Sequence, residues 1–159
     1  MIPERARDGA DFAAVLALIR AEFAFMDGRI DPPSSMHELT NAAIARQAAA
    51  GEIWMIRADG RPIACAFLSP LPDALYLGKL AVSAPWRGRG LARRLVTHAE
   101  MRARALRHPV VRIKVRVELA ENQAAFRRMG FWETGRMAHP GFDRPTSVVM
   151  EKPAGDPAA

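Results

Sequence analysis

Residues 79–92 read KLAVSAPWRGRGLA, and the fold turns on how this stretch is read. Leu80, Ala81 and Val82 end an apolar run, ALYLGKLAV, with the composition of a strand, and Ser83 to Trp86 make a short link. Arg87-Gly88-Arg89-Gly90-Leu91-Ala92 then opens a helix, so a strand, a turn and a helix start meet around two glycines. Glycine lets the backbone come close to a ligand, the first N–H groups of a helix lack intrahelical partners, and the helix dipole adds roughly half a positive charge there. The stretch is therefore a site for an anion the size of a pyrophosphate.

Spacing separates the phosphate-binding turns that compete for this reading. A dinucleotide fingerprint needs glycine or alanine where this chain has Arg93, and no lysine followed by serine or threonine comes after the glycines, so a nucleoside-triphosphate loop is excluded as well.

On the carboxy-terminal side, Leu91, Leu95, Ala99, Ala103 and Leu106 mark one helix face running to Arg107, and Pro109 stops it. Val110 to Val117 alternates, with Val111, Ile113, Val115 and Val117 on one side and Arg112, Lys114 and Arg116 on the other. The spacing then predicts a short helix over Glu121 to Met129 ended by Gly130, and strands over Phe131 to Met137 and Ser147 to Glu151 around the loop HPGFDRPT. On the amino-terminal side, Phe12, Val15, Leu16, Ile19 and Phe23 predict a helix over 9–26, capped by Asp8 or Asp11. Ser35 to Glu38 reads as a capping box opening a second helix towards Ala50. EIWMIRA and PIACAFL flank Asp59-Gly60, a hairpin signal.

The chain of 159 residues fits one domain, and no apolar run approaches the roughly 20 residues of a membrane span. MIPERARDGAD lacks the apolar core of a secretory signal, and the single Cys65, in an apolar strand, reads as a buried inert thiol; both favour the cytoplasm. His37, His98, His108 and His139 show no zinc-site spacing, so no metal is expected. Net charge is +6, and eleven cations against one acid, Glu100, lie between Lys79 and Arg116. That patch suits a polyanion, either a phosphorylated small molecule or nucleic acid, although Arg102, Arg104 and Arg107 read as a solvated helix face.

Arg87, Gly90 and Ala92 fill the pattern Arg-x-x-Gly-x-Ala directly after LAV, and here the sequence resembles the GNAT superfamily of N-acetyltransferases. The resemblance runs from about Tyr76 to Phe131, since VVRIKVRVEL, Asn122 and the helix ending Arg127-Arg128-Met129-Gly130-Phe131 follow in the family's order. It implies an α+β (α/β) fold in a single GNAT-like domain over residues 1–152, followed by a disordered tail over 153–159. The sheet would be mixed, mostly antiparallel, of about six to seven strands flanked by about four helices, with splayed central strands forming the coenzyme cleft. It implies acetyl-CoA as co-substrate: Leu80, Ala81 and Val82 on the pantetheine arm, Arg87, Gly88, Arg89, Gly90, Leu91 and Ala92 on the pyrophosphate, Asn122 bonding the arm and Phe126 beside its thiol end. It also implies acetyl transfer to an amine. Phe126 departs from the family, many of whose members carry a tyrosine there, and Asn122 stands closer to it than is common.

An amine attacks a thioester only when neutral, so a base must take its proton and a fixed donor must stabilise the oxyanion. Glu118, at the end of the cationic strand, is the first candidate base, with an ion pair to Arg116 or Arg87 as the structural alternative; His139 is the second. Asp27, Asp31 and Asp143, in the loop between the first two helices and in HPGFDRPT, are candidate partners for the acceptor's ammonium, or else turn caps. Two rivals remain: an acyl-CoA sensor without catalysis, which the missing tyrosine allows, and a basic nucleic-acid-binding protein, disfavoured because Trp86 is the one aromatic within the Arg-rich helix and its preceding turn. Whether the Arg112, Lys114, Arg116 face lines a homodimer contact or a peptide groove stays open.

Overall fold

The computed structural model describes residues 1–155, and the chain begins with β1 (Glu4–Arg5), a strand too short to show in a periodicity. Helix α1 (Gly9–Phe23) starts where the Asp8 carboxylate accepts the Asp11 N–H, and it tightens into a 3-10 turn at Ala24–Met26. The expected second helix is broken in two. Ser34 caps a 3-10 turn at Ser35–Glu38, Leu39 is extended, and Thr40 caps α2 (Asn41–Ala50) afresh. Two capping hydroxyls in one stretch each start an element, and this local bonding competes with a continuous helix.

β2 (Glu52–Ala58) and β3 (Arg61–Pro70) form the expected hairpin, with Asp59 and Gly60 at φ 52° and 75°, the left-handed pair a two-residue turn requires. β4 (Leu75–Val82), α3 (Leu91–Ala105), β5 (Val110–Arg116), α4 (Ala120–Arg128), β6 (Trp132–Met137) and β7 (Ser147–Pro153) complete the chain. The seven strands form one sheet in the order β1-β2-β3-β4-β5-β7-β6, antiparallel throughout except between β4 and β5.

Strand alternation sends apolar side chains to both faces. Ile56, Leu68, Leu77, Val111, Ile113 and Met150 pack with Leu95, Val96 and Ala99 of α3, while Ile53, Met55, Cys65 and Phe67 pack with Val15, Ile19 and Ile44 of α1 and α2. Fully burying each Leu or Ile contributes about 1.5–3 kcal/mol, so this double-faced core holds the middle strands rigid. Burial pushes the Cys65 thiol up to about 12, which leaves it inert.

Two expectations are corrected. Pro153 ends β7, and Ala154 is buried with its N–H on the Pro109 carbonyl, so the expected disordered tail of 153–159 does not start there; residues 156–159 lie outside the described residues. Arg102 and Arg104 are not merely a solvated face. Arg102 grips the buried Glu52 through two nitrogens, and Arg104 donates to the Ala154 carbonyl at 2.6 Å, tying α3 to β2 and to the end of β7.

What positions the site is the way β4 and β5 part. They pair at Leu75 with Val111 and at Tyr76 with Arg112, then diverge, whereas β5 and β7 pair along their whole length. On its other side β4 carries a bulge: Phe67 faces Gly78 and Cys65 faces Ala81, so Lys79 and Leu80 share one place opposite β3, with Lys79 at φ 50°. The bulge turns β4 away from β5 and opens a fork.

Candidate functional site

At the open end of the fork, Gly88 and Gly90 stand at φ +77° and +78°, and a Cβ on either would meet nothing within 4 Å. The positive φ requires glycine; the empty space beside it leaves room for a ligand. Gly90 starts α3 with no side-chain cap, so the first N–H groups of a fifteen-residue helix have no side chain to bond. Such an uncapped start is suited to an anion. Arg87 reaches across it, its guanidinium 2.6 Å from Glu22 Oε2 of α1 and 3.4 Å from the Val82 carbonyl. Arg89 lies instead over the Trp86 ring, 4.7 Å from its centroid.

A cavity of about 830 Å³ runs from this cradle into the fork. Leu80, Ala81 and Val82 of β4 form one wall; Arg87, Gly88, Gly90, Leu91 and Ala92 form its mouth; Asn122 and Phe126 of α4 face them. Arg89 is not part of the lining. Asn122 sits in the first turn of α4, because the helix starts at Ala120 directly after Leu119, whose side chain is buried in the core. Phe126 rests edge-on against Phe131, 5.5 Å between centroids.

Tyr76 lies where the fork closes, Lys79 and Lys114 line its two arms, and Arg116 and His139 lie towards the open tip of β5, with Ser35 from the segment between α1 and α2. Lys114 lies over the Tyr76 ring at 5.6 Å, and Lys79 Nζ donates to Ser35 Oγ. Arg116 donates to the carbonyls of Pro32 and Pro33, at 2.7 and 3.0 Å. Burial, and then the Arg116 charge, hold the Lys79 ammonium below its usual range. Desolvation, then Arg116 and Lys114, do the same to His139, with Glu118 opposing, so its imidazole is neutral at pH 7. Its Nδ1 is engaged by Thr146 Oγ1, which also accepts the His139 N–H at 2.9 Å. Burial pushes the Tyr76 hydroxyl up.

A forked sheet with a glycine cradle at the mouth and a polar floor is the frame on which sequence comparison can be judged, and the acetyltransferase (GNAT) family model matches residues 14–131. The chain belongs to the GNAT acetyltransferase family. The match runs from within α1 to the residue before β6, and so includes both walls of the fork. Members of this family bind acyl-CoA and an acceptor. Three solved GNAT-like structures share the fold. A putative acetyltransferase of the GNAT family from Desulfovibrio desulfuricans superposes with a TM-score of 0.77 at 15% identity, over 96% of this chain and 98% of that one. The ribosomal-protein-S18-alanine N-acetyltransferase of Escherichia coli gives 0.68 at 18%, over 96% and 94%. A putative acyl-CoA N-acyltransferase from Klebsiella pneumoniae gives 0.69 at 19%, over 96% and 98%. No curated protein matches the sequence.

In this GNAT member the residues expected at the acceptor end are placed unequally. Glu118 does not line the cavity: its Oε2 accepts the Asp31 N–H at 3.0 Å, and its buried Oε1 has no partner. Asp27 is bonded to His37 at 2.7 Å, Asp31 to Arg144 at 3.1 Å, and Asp143 is exposed; none of the three lines the cavity. The Asp31–Arg144 pair nevertheless joins the two loops expected to build the acceptor end. Tyr76, Lys79, Glu22 and Arg29 line the cavity, and sequence reasoning gave them no role. Lys79 had a signal, since a lysine inside ALYLGKLAV is out of place in a buried strand unless the strand bulges. Among the described residues no group of three or more His, Cys, Asp or Glu is placed to hold a metal ion, and no helix is long and apolar enough to cross a membrane.

Proposed function

We propose that this GNAT member moves an acetyl group from acetyl-CoA directly to a primary amine of a small molecule or peptide. The observation that carries the reading is the continuity of the cavity from the uncapped glycine cradle into the fork between β4 and β5. Acetyl-CoA, when bound, supplies an acetyl group activated as a thioester. The first-turn N–H groups of α3 and the Arg87 guanidinium hold its pyrophosphate, Leu80 to Val82 offer the strand edge that β5 leaves open, and Asn122 and Phe126 close the opposite wall.

His139 is the base in this reading. It lines the cavity, it is neutral at pH 7, and with Nδ1 on Thr146 its Nε2 is the nitrogen free to take a proton from the acceptor. Glu118 is a positioning residue that pins the Asp31 loop to the end of β5. Phe126 has no proton to give, and a thiol with a pKa of about 8.5 leaves as the thiolate without a dedicated acid. A cytoplasmic location stays with this proposal and rests on the lone buried thiol of Cys65.

Thiol release over a panel of amines, with acetyl-CoA as donor, tests the reading. Turnover of any amine excludes the sensor alternative, and failure to bind acetyl-CoA sinks the proposal. If His139→Gln keeps the rate and its pH profile, the base is elsewhere.

A further inference from the structure

The side-chain-lined part of the fork carries more positive charge than the fold needs. Among the described residues Lys79, Lys114 and Arg116 form no ion pair, whereas Arg112, on the same strand, is held by Asp73 at 2.8 Å and Glu151 at 2.6 Å. The acids of the same cavity are already engaged, Glu22 by Arg87 and Glu121 by Arg29, each at 2.6 Å. Glu118 and Asp31 stand near enough to act on Arg116, yet they bond to a backbone N–H and to Arg144. Arg116 spends its guanidinium on two carbonyls, and Lys79 its ammonium on a hydroxyl. Three cations from the two walls of the fork thus line one cavity without an ion pair of their own.

This charge is not placed for the coenzyme phosphates. Lys79 and Arg116 bond to Ser35 and to the carbonyls of Pro32 and Pro33, in the segment between α1 and α2 and not at the start of α3. Lys114 sits over Tyr76, at the point where β4 and β5 stop pairing.

We infer that the acceptor is an amine that also carries a carboxylate or a phosphate, and that Lys79, Lys114 and Arg116 bind this anionic group beside the reacting nitrogen. The inference rests on the acetyl-transfer reading above and names the substrate class of that site. Its chemistry is consistent in two ways. A buried anion between lysine and arginine forms charge-assisted hydrogen bonds. The same cations disfavour a second positive charge, so the acceptor's ammonium loses its proton more readily there than in water, which delivers the neutral amine that His139 would need. A polyamine brings only positive charge and is rejected.

The test uses matched pairs of acceptors with acetyl-CoA, read by thiol release and by calorimetric binding to protein saturated with coenzyme A. L-alanine is set against L-alaninamide, phosphoethanolamine against ethanolamine, and spermidine is the cationic control. In at least one pair the anionic member is expected to show kcat/KM higher by about tenfold or more, as a charged hydrogen bond of 1.5–3 kcal/mol implies. The two pairs distinguish a carboxylate from a phosphate. Lys114→Met, on an exposed side chain, should bring that ratio towards one while leaving acetyl-CoA affinity unchanged. Equal use of both members, preference for spermidine, or no binding of either anion overturns the inference and leaves acetyl-CoA binding intact. Loss of acetyl-CoA binding itself is the separate result that removes the function proposed above.

Discussion

At the start of α3 the cavity is walled by backbone, two glycines and the uncapped helix terminus, whereas between the arms of the fork it is walled by side chains of β4, β5 and the loop after β6. The first end is fixed by local conformation: Gly88 and Gly90 at positive φ and a helix beginning at Leu91 suffice to make it. The second depends on tertiary packing, because His139, Lys114, Tyr76 and Ser35 meet only once β6 and β7 and the segment between α1 and α2 are docked. A backbone-built site binds what the whole family binds, and a side-chain-built site varies with the acceptor.

The sharpest way to break the first end is Gly90→Val. A β-branched residue at φ +78° is strained and fills the space proposed for the phosphates, so acetyl-CoA affinity should fall by about a hundredfold, read by calorimetry. His139→Gln acts at the other end alone: kcat should drop by about a hundredfold with acetyl-CoA affinity unchanged, as for loss of a general base. The wild-type rate should follow the neutral imidazole. His139 titrates below the ordinary 6.5, so kcat should stay level at neutral pH and fall only as the pH drops through that depressed value. Lys114→Met removes one of the cations that depress it, so the acid limb should move to higher pH. The same sign applies to stability. With its folded pKa depressed, His139 contributes stability that is present above its unfolded pKa and is lost as the pH falls through the folded one. The smallest effect is at the mouth: Glu22→Gln removes the carboxylate that competes for Arg87, and acetyl-CoA should bind about two- to fivefold more tightly.

The contrast also explains what could be read in the sequence. KLAVSAPWRGRGLA announces its cradle because positive-φ glycines, a strand end and a helix start are all local properties, and the hairpin at Asp59-Gly60 is legible for the same reason. Asp27, Asp31 and Asp143 look equally suited to bind an ammonium until the fold shows that His37 and Arg144 engage the first two. Glu118 is near the fork in sequence, but its carboxylate is drawn to the Asp31 N–H. The charge cluster between Lys79 and Arg116 reads as one basic patch, yet Arg102, Arg104 and Arg112 serve internal partners, and of the others Lys79, Arg87, Lys114 and Arg116 line the cavity. Which cations are free is settled by long-range partners such as Glu52, Asp73 and Glu151, and no spacing rule encodes those.

The fork and its glycine cradle are proposed to bind acetyl-CoA together. Calorimetric titration of acetyl-CoA into the wild-type protein and into Gly90→Val tests it most directly. Saturable binding to a single site, lost or greatly weakened in the variant, is the predicted result. No heat of binding at millimolar acetyl-CoA, or equal affinity in the two proteins, would contradict it.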